Sequence, residues 1–205
     1  MSIVHIAVDM SEFERDRFRL KRNWKILSSV ICDLKQVFHE CHALTIHTSY
    51  TKGRIRPMVG SLKEVEAKFA KSMRLGLLRT PGFRFRLPVK KNDWVATKNT
   101  PSACTSALVA FLRERNIDTV VLTGVWEGYP KEGSNHCVTA TAIDFVRNNF
   151  RVIIASEGTN VLTNNECLNP EDRIAENKKF GIEVLPIRDI VALLRGRCAS
   201  GKAHS

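Results

Sequence analysis

The chain opens on a short apolar run, Ile3–Val8, rich in β-branched residues and closed by Asp9, the pattern of a buried strand. From Trp24 to His42 the period changes. Ile26, Leu27, Val30, Ile31, Leu34, Val37 and Phe38 recur every three or four residues, as on the apolar side of a helix. Ala43–Thr48 returns to strand character. Between Ser49 and Asn92 glycines and prolines interrupt the pattern and leave one helix, over Leu62–Met73. Regularity resumes with a strand at Trp94–Thr97, ending at Lys98, and a helix over Ser102–Asn116 for which Asn99-Thr100-Pro101 supplies cap and first turn. Thr119–Thr123 is the next strand, followed by a glycine-rich loop from Gly124 to Gly133. A helix over Cys137–Asn148, a strand at Val152–Ala155, a helix over Pro170–Phe180, a strand at Ile182–Leu185 and a helix over Asp189–Arg195 complete the pattern.

Strands alternating with helices, with continuous apolar strand cores, predict a mostly parallel sheet covered on both faces. The expectation is a three-layer α/β/α domain, Rossmann-like, with six strands, over residues 1–197, and a flexible tail at 198–205. In such sheets reactive groups gather beyond the carboxyl ends of the strands. Asp9, Lys98 and Cys137 all fall at that edge: after the first strand, after the third, and past the loop that follows the fourth.

Composition narrows the class. The chain has 205 residues, 43% hydrophobic and 26% charged, which suits one globular domain. No apolar run approaches the roughly 18 residues of a membrane span, and the amino terminus lacks the basic-then-apolar order of a secretory signal. A cytoplasmic protein is expected, with no membrane contact. The net charge is +11, and twelve Lys or Arg lie between Lys52 and Lys91 against Glu64 and Glu66 alone. That surplus attracts anions. Nucleic acid is disfavoured, because only Phe83 and Phe85 interleave with the cations where base stacking would need more. The six cysteines form no CxxC pair, so free thiols are expected; Cys41-His42 and His136-Cys137 are adjacent, which is poor geometry for one zinc ion.

Three pieces in order, Val8-Asp9-Met10, Lys98-Asn-Thr-Pro-Ser102-Ala103, and Thr123-Gly124-Val125 followed by Cys137-Val138-Thr-Ala-Thr141-Ala142-Ile-Asp144, resemble the isochorismatase-like cysteine hydrolases. These are the nicotinamidases, N-carbamoylsarcosine amidases and isochorismatases. The resemblance spans roughly residues 3–194 and implies that family's hydrolase fold, a homodimer or homotetramer, no cofactor, and a triad of Asp9, Lys98 and Cys137. It further implies an oxyanion hole from the backbone N–H groups of Cys137 and Gly133, the latter after a cis Glu132–Gly133 bond. Three departures bear on substrate, one being the link Trp126-Glu-Gly-Tyr129-Pro130-Lys-Glu132, longer than the family's usual few residues. Ser11 stands where the family often has Gln, and Ile46-His47-Thr48-Ser49-Tyr50 lacks the Asp-x-His with further histidines by which nicotinamidases hold a metal. No metal is expected.

The residue types suit amide hydrolysis. A free thiol has a pKa near about 8.5, so an ammonium and a helix amino terminus would favour its thiolate. Asp9 would take the thiol proton and later activate water. Thiolate attack on an amide-like carbonyl would then give a thioester for hydrolysis. Phe13, Trp126, Tyr129 and His136 are the candidate pocket residues, and the basic segment favours a small anionic substrate. Two other readings stand beside this one: enol-ether hydrolysis of the isochorismatase kind, and a catalytically idle binding protein with a basic partner-binding face.

Overall fold

Ile3–Val8 are all buried, so neither face of the first strand meets water. Val4, Ile6 and Val8 point into one core and Ile3 into another, the two-residue alternation of a strand covered twice. This is β1 (Ser2–Val8) of a computed structural model that describes residues 2–10, 21–51, 56–74, 87–128, 136–161 and 169–201. The elements that follow are α1 (Lys21–Glu40), β2 (Leu44–Tyr50), β3 (Val59–Ser61), α2 (Leu62–Arg74), β4 (Trp94–Lys98), α3 (Ser106–Glu114), β5 (Ile117–Glu127), α4 (Cys137–Arg147), β6 (Arg151–Val161), α5 (Pro170–Lys179), β7 (Ile182–Leu185) and α6 (Ile187–Gly201).

The sheet order is β3-β4-β2-β1-β5-β6-β7, parallel throughout except for β3. Helices α3 and α4 cover one face through Leu108, Phe111, Leu112, Val138, Ala142 and Phe145. Helices α1 and α6 cover the other through Leu34, Phe38, Ile190 and Leu194. The three-layer α/β/α arrangement is as expected, with seven strands in place of six. The additional strand, β3, pairs antiparallel with the edge strand β4. It is three residues long and centred on Gly60, too short to show a period. A signal does follow it: Ser61 Oγ accepts from the Glu64 N–H, and Glu64 Oε2 accepts from the Ser61 N–H at 2.7 Å. That reciprocal pair is the capping box that starts α2.

Four boundaries differ from the sequence pattern by four residues or more. Helix α3 begins at Ser106 rather than Ser102, with Thr105 as its N-cap, because residues 99–105 are occupied by contacts described below. Strand β5 runs on through Glu127, so Trp126 lies on a strand rather than in a loop. Strand β6 lengthens with it to Val161, and Glu127 in this extension is wholly buried against Arg173 of α5 in a bidentate ion pair of 2.7 and 2.6 Å. The sequence pattern missed the extension because Gly124 reads locally as the start of a loop, whereas in the sheet it pairs with Val8 and the strand runs on. The last helix continues to Gly201, so residues 198–201, expected to begin a tail, are helical.

Polar groups pin the layers on the α1 side. The Asp93 carboxylate, just before β4, receives Lys35 Nζ at 2.6 Å, His39 Nε2 at 2.6 Å, His47 Nε2 at 3.2 Å and the Lys90 N–H at 2.6 Å. Burial opposes its charge, but the bonds from His47, Lys35 and Lys90 outweigh this and hold the carboxyl far below its usual range. His47 is absorbed into this cluster. Nearer the centre, His5 of β1 shares a 2.8 Å hydrogen bond with Thr123 Oγ1. Burial first, then the charges of His47 and Lys35, pushes its imidazole down to about 3, so it is neutral at ordinary pH.

One glycine sets how closely β1 and β5 approach at their carboxyl ends. Gly124 has φ +135°, and a Cβ there would lie 2.1 Å from the Val8 carbonyl oxygen. Gly124→Ala is therefore expected to force β1 away from β5 and cost about 3 kcal/mol or more. The urea midpoint should fall accordingly, and an unchanged midpoint would contradict the role given to this contact.

Candidate active site

Beyond the close contact of Val8 with Gly124, the chain turns at Asp9 through a left-handed backbone, φ 56°. For a non-glycine residue this costs on the order of 1–3 kcal/mol and persists only where surroundings enforce it. Here the Asp9 N–H donates to Thr48 Oγ1 at 3.2 Å, tying the turn to β2. The Asp9 carboxylate meets Lys98 Nζ at 2.7 Å, and both residues are 2% exposed or less. Lys98 ends β4 and also donates to the Pro101 carbonyl at 2.5 Å. That second contact requires residues 99–105 to loop back, which is why α3 starts late.

Cys137 is the first residue of α4, and its thiol lies close enough to Asp9 and Lys98 for the charge of each to act on it. Threonines fix the helix start. Thr141 Oγ1 donates to the Cys137 carbonyl at 2.6 Å and accepts from the Ala103 N–H at 2.8 Å, joining the lysine loop to the cysteine turn. Thr139 Oγ1 accepts from the Gly128 N–H at 3.0 Å and donates to the Gly128 carbonyl at 2.9 Å, joining α4 to the end of β5. The carboxylate, the ammonium and the thiol thus meet at one rim of the sheet, from three elements far apart in sequence.

The electrostatics of this group differ from the sequence expectation in one respect. Burial, and next the Asp9 carboxylate, push the Cys137 thiol up to about 12, against the pull of Lys98. The Lys98 ammonium is 1% exposed, and burial works against it. The charge of Asp9, then that of Cys137, more than offsets this, so its pKa is raised. These opposed pulls favour the ammonium on Lys98 and the protonated thiol on Cys137, where an ammonium and a helix amino terminus alone would have favoured the thiolate.

The isochorismatase domain model matches residues 9–181, well over half of the chain. The chain belongs to the isochorismatase family. Solved structures similar to it include an N-carbamoylsarcosine amidase from Thermoplasma acidophilum, with 17% identity over 91% of this chain and 97% of that one, TM-score 0.63. A cysteine hydrolase from Pseudomonas syringae pv. phaseolicola 1448A has 14% identity over 95% and 92%, TM-score 0.67. A pyrazinamidase of Pyrococcus horikoshii in complex with zinc has 22% identity over 91% and 99%, TM-score 0.59. At these identities the likeness is one of fold. Among curated proteins nothing matches.

Within this isochorismatase-family chain, Asp9, Lys98 and Cys137 come together. His136 is the N-cap residue of α4, and its ring lies over Gly128, where a Cβ would meet Nδ1 at 2.4 Å. Phe13, Tyr129 and Gly133 lie outside the described residues, as do the side chain of Trp126, the Glu132–Gly133 bond and Ser11. Among the described residues no group of three or more His, Cys, Asp or Glu is arranged to hold a metal ion, and no helix is long and apolar enough to cross a membrane. Reading residues alone missed Thr48, Pro101, Thr139 and Thr141 as supports. Thr141 stood within the quoted motif, but its use as a bridge needs the third dimension.

The opposed charges around the sulfur give a signed expectation. Asp9→Asn removes the carboxylate that holds the thiol protonated while leaving Lys98 beside it, so the Cys137 pKa should fall. The pH dependence of iodoacetamide alkylation, followed at Cys137 by peptide mass spectrometry, should show an inflection well above about 8.5 in the wild type and a lower one in the variant. An inflection that rises in the variant would contradict the assignment of charges.

Proposed function

We propose that the chain is a cysteine-dependent hydrolase that cleaves the C–N bond of a small amide or carbamoyl compound through a thioester, with Asp9, Lys98 and Cys137 as its triad. The observation that supports this most strongly is the buried Asp9–Lys98 contact, 2.7 Å, with the Cys137 thiol at the start of a helix within the electrostatic reach of both partners. Two of the similar structures, the N-carbamoylsarcosine amidase and the pyrazinamidase, are named as amidases. The Lys and Arg surplus between Lys52 and Lys91 favours an anionic substrate.

In this reading the protonated thiol is the resting form, and Asp9 is the base. Oδ1 of Asp9 is buried and has no hydrogen-bond partner among the described residues, so it retains an acceptor site. Substrate binding orients a carbonyl over the sulfur. As Sγ attacks, its proton passes to Asp9, and Lys98 holds the developing thiolate. Negative charge growing on the carbonyl oxygen meets the unpaired N–H groups of the first turn of α4, including that of Cys137, with Gly133 as the second proposed donor. Collapse expels the amine, which takes the proton from Asp9 and leaves a thioester on Cys137. Asp9 then takes a proton from water, the hydroxide attacks the thioester, and the acid leaves as the thiol is restored. Lys98 stays charged throughout and holds Asp9 in place between proton transfers.

Ammonia or amine release from a panel of small amides and carbamoyl acids tests this reading. Asp9→Asn is expected to lose about 10²–10⁴ in kcat, and Cys137→Ala to fall to background with any substrate the wild type turns over. Equal release by wild type and Cys137→Ala would end the proposal. Turnover of an enol ether that survives Cys137→Ala would favour the isochorismatase-type reaction instead.

A further inference from the structure

At the amino ends of the strands, on the opposite edge from Asp9, two thiols meet that are 157 residues apart in sequence. Cys41 lies in the turn after α1, before His42 takes a left-handed conformation, φ 53°, and the chain enters β2. Cys198 lies in the last turn of α6. The Cys198 Sγ–H points at the Cys41 carbonyl oxygen, 3.7 Å away, and the two thiols lie close enough to act on each other's ionisation. Both are half-buried in the wall of a cleft of about 320 Å³, together with Ser2, His42, Arg115 and Arg197. The other described cysteines are differently placed. Cys104 packs against the α3–α4 core and receives Asn148 Nδ2, Cys137 belongs to the rim cluster, and Cys32 lies on α1 near Lys35, packed against Leu27, Ile31 and Leu87.

We propose that Cys41 and Cys198 are a disulfide-forming pair, oxidised by a small-molecule disulfide that enters this cleft. A thiolate of the pair attacks one sulfur of the incoming disulfide, forming a mixed disulfide and releasing the other half as a thiol. The second cysteine then attacks the protein-side sulfur, forming the Cys41–Cys198 bond and releasing the remaining half. Two protein thiols are oxidised and one external disulfide is reduced to two thiols. The cationic walls, Arg115 and Arg197, favour an oxidant that carries carboxylates. Burial and then the neighbouring Cys198 thiol push the Cys41 thiol up to about 11, so exchange should be slow at neutral pH and faster as pH rises. The bond would tie the end of α1 to the last turn of α6 and close a loop spanning most of the chain. That class of cross-link acts chiefly by restricting the unfolded chain.

This inference is independent of the hydrolase reading, and its test uses no activity readout. The full-length protein would be incubated with oxidised glutathione at mildly alkaline pH, blocked with iodoacetamide, and digested without reductant for mass spectrometry. A cross-linked species joining the Cys41 and Cys198 peptides is expected, with a Tm about 5–10 °C above that of the reduced protein and a return to the lower value on adding dithiothreitol. Cys198→Ser should lose both the cross-link and the shift. Stable glutathione adducts at either cysteine without the cross-link, or a cross-linked protein that melts at or below the reduced one, would overturn the proposal. The wild-type mapping decides the matter even where the variant folds poorly.

Discussion

Everything at the carboxyl rim depends on one contact, the Asp9 carboxylate against the Lys98 ammonium, buried at 2.7 Å. Withdrawing two ions from water costs several kcal/mol each, and their attraction returns that cost only with good geometry and further hydrogen bonds. The fold supplies these unevenly. Lys98 has the Pro101 carbonyl as well as the carboxylate, whereas Asp9 has one oxygen on Lys98 and the other without a hydrogen-bond partner among the described residues. The contact is thus a poor source of stability and a good source of reactivity. It sets a carboxylate against an ammonium in a dry place next to a thiol, and burial together with that carboxylate favours the neutral thiol until something displaces the balance.

The supports of this pair explain residues that would otherwise read as fillers. Gly124 lets β5 lie against the Val8 carbonyl, which leaves Asp9 the left-handed turn it adopts. Thr48 takes the Asp9 N–H, and Thr141 links the lysine loop to the first turn of α4. Further out, the Glu127–Arg173 pair joins α5 to the lengthened end of β5, and Gly128 directly after it is bonded to Thr139 of α4. The cysteine turn is therefore held from two sides by backbone groups whose partners are buried hydroxyls.

Much of this was legible in the sequence, for physical reasons that can be named. Ile3–Val8 and Thr119–Thr123 are apolar on both faces, and a strand covered twice has to look so. With the strands located, Asp9, Lys98 and Cys137 fall at one edge by topology alone. What was hidden lies wherever a tertiary contact overrides a local pattern. Asn99-Thr100-Pro101 looks like a helix start, but Lys98 claims the Pro101 carbonyl and Thr141 the Ala103 N–H, so α3 waits until Thr105 can cap it. Gly124 opens a loop to any local rule, yet β5 runs on through it to Glu127, whose buried carboxylate is met by Arg173. The charge state of Cys137 was the deepest miss: Lys98 and the helix start were visible as reasons for a thiolate, while the opposing weight of burial and of Asp9 depends on distances no spacing reveals.

The claim that Asp9 and Lys98 act as one buried unit is tested most directly by a double-mutant cycle. Urea unfolding would be measured for the wild type, Asp9→Asn, Lys98→Met and the double variant. Each single substitution leaves a buried group without its partner, so Lys98→Met in particular should cost about 3–5 kcal/mol, and the double variant should lose clearly less than the sum of the two singles. Losses that simply add would mean the two charges do not sense each other, and the account of the rim built on their contact would be wrong.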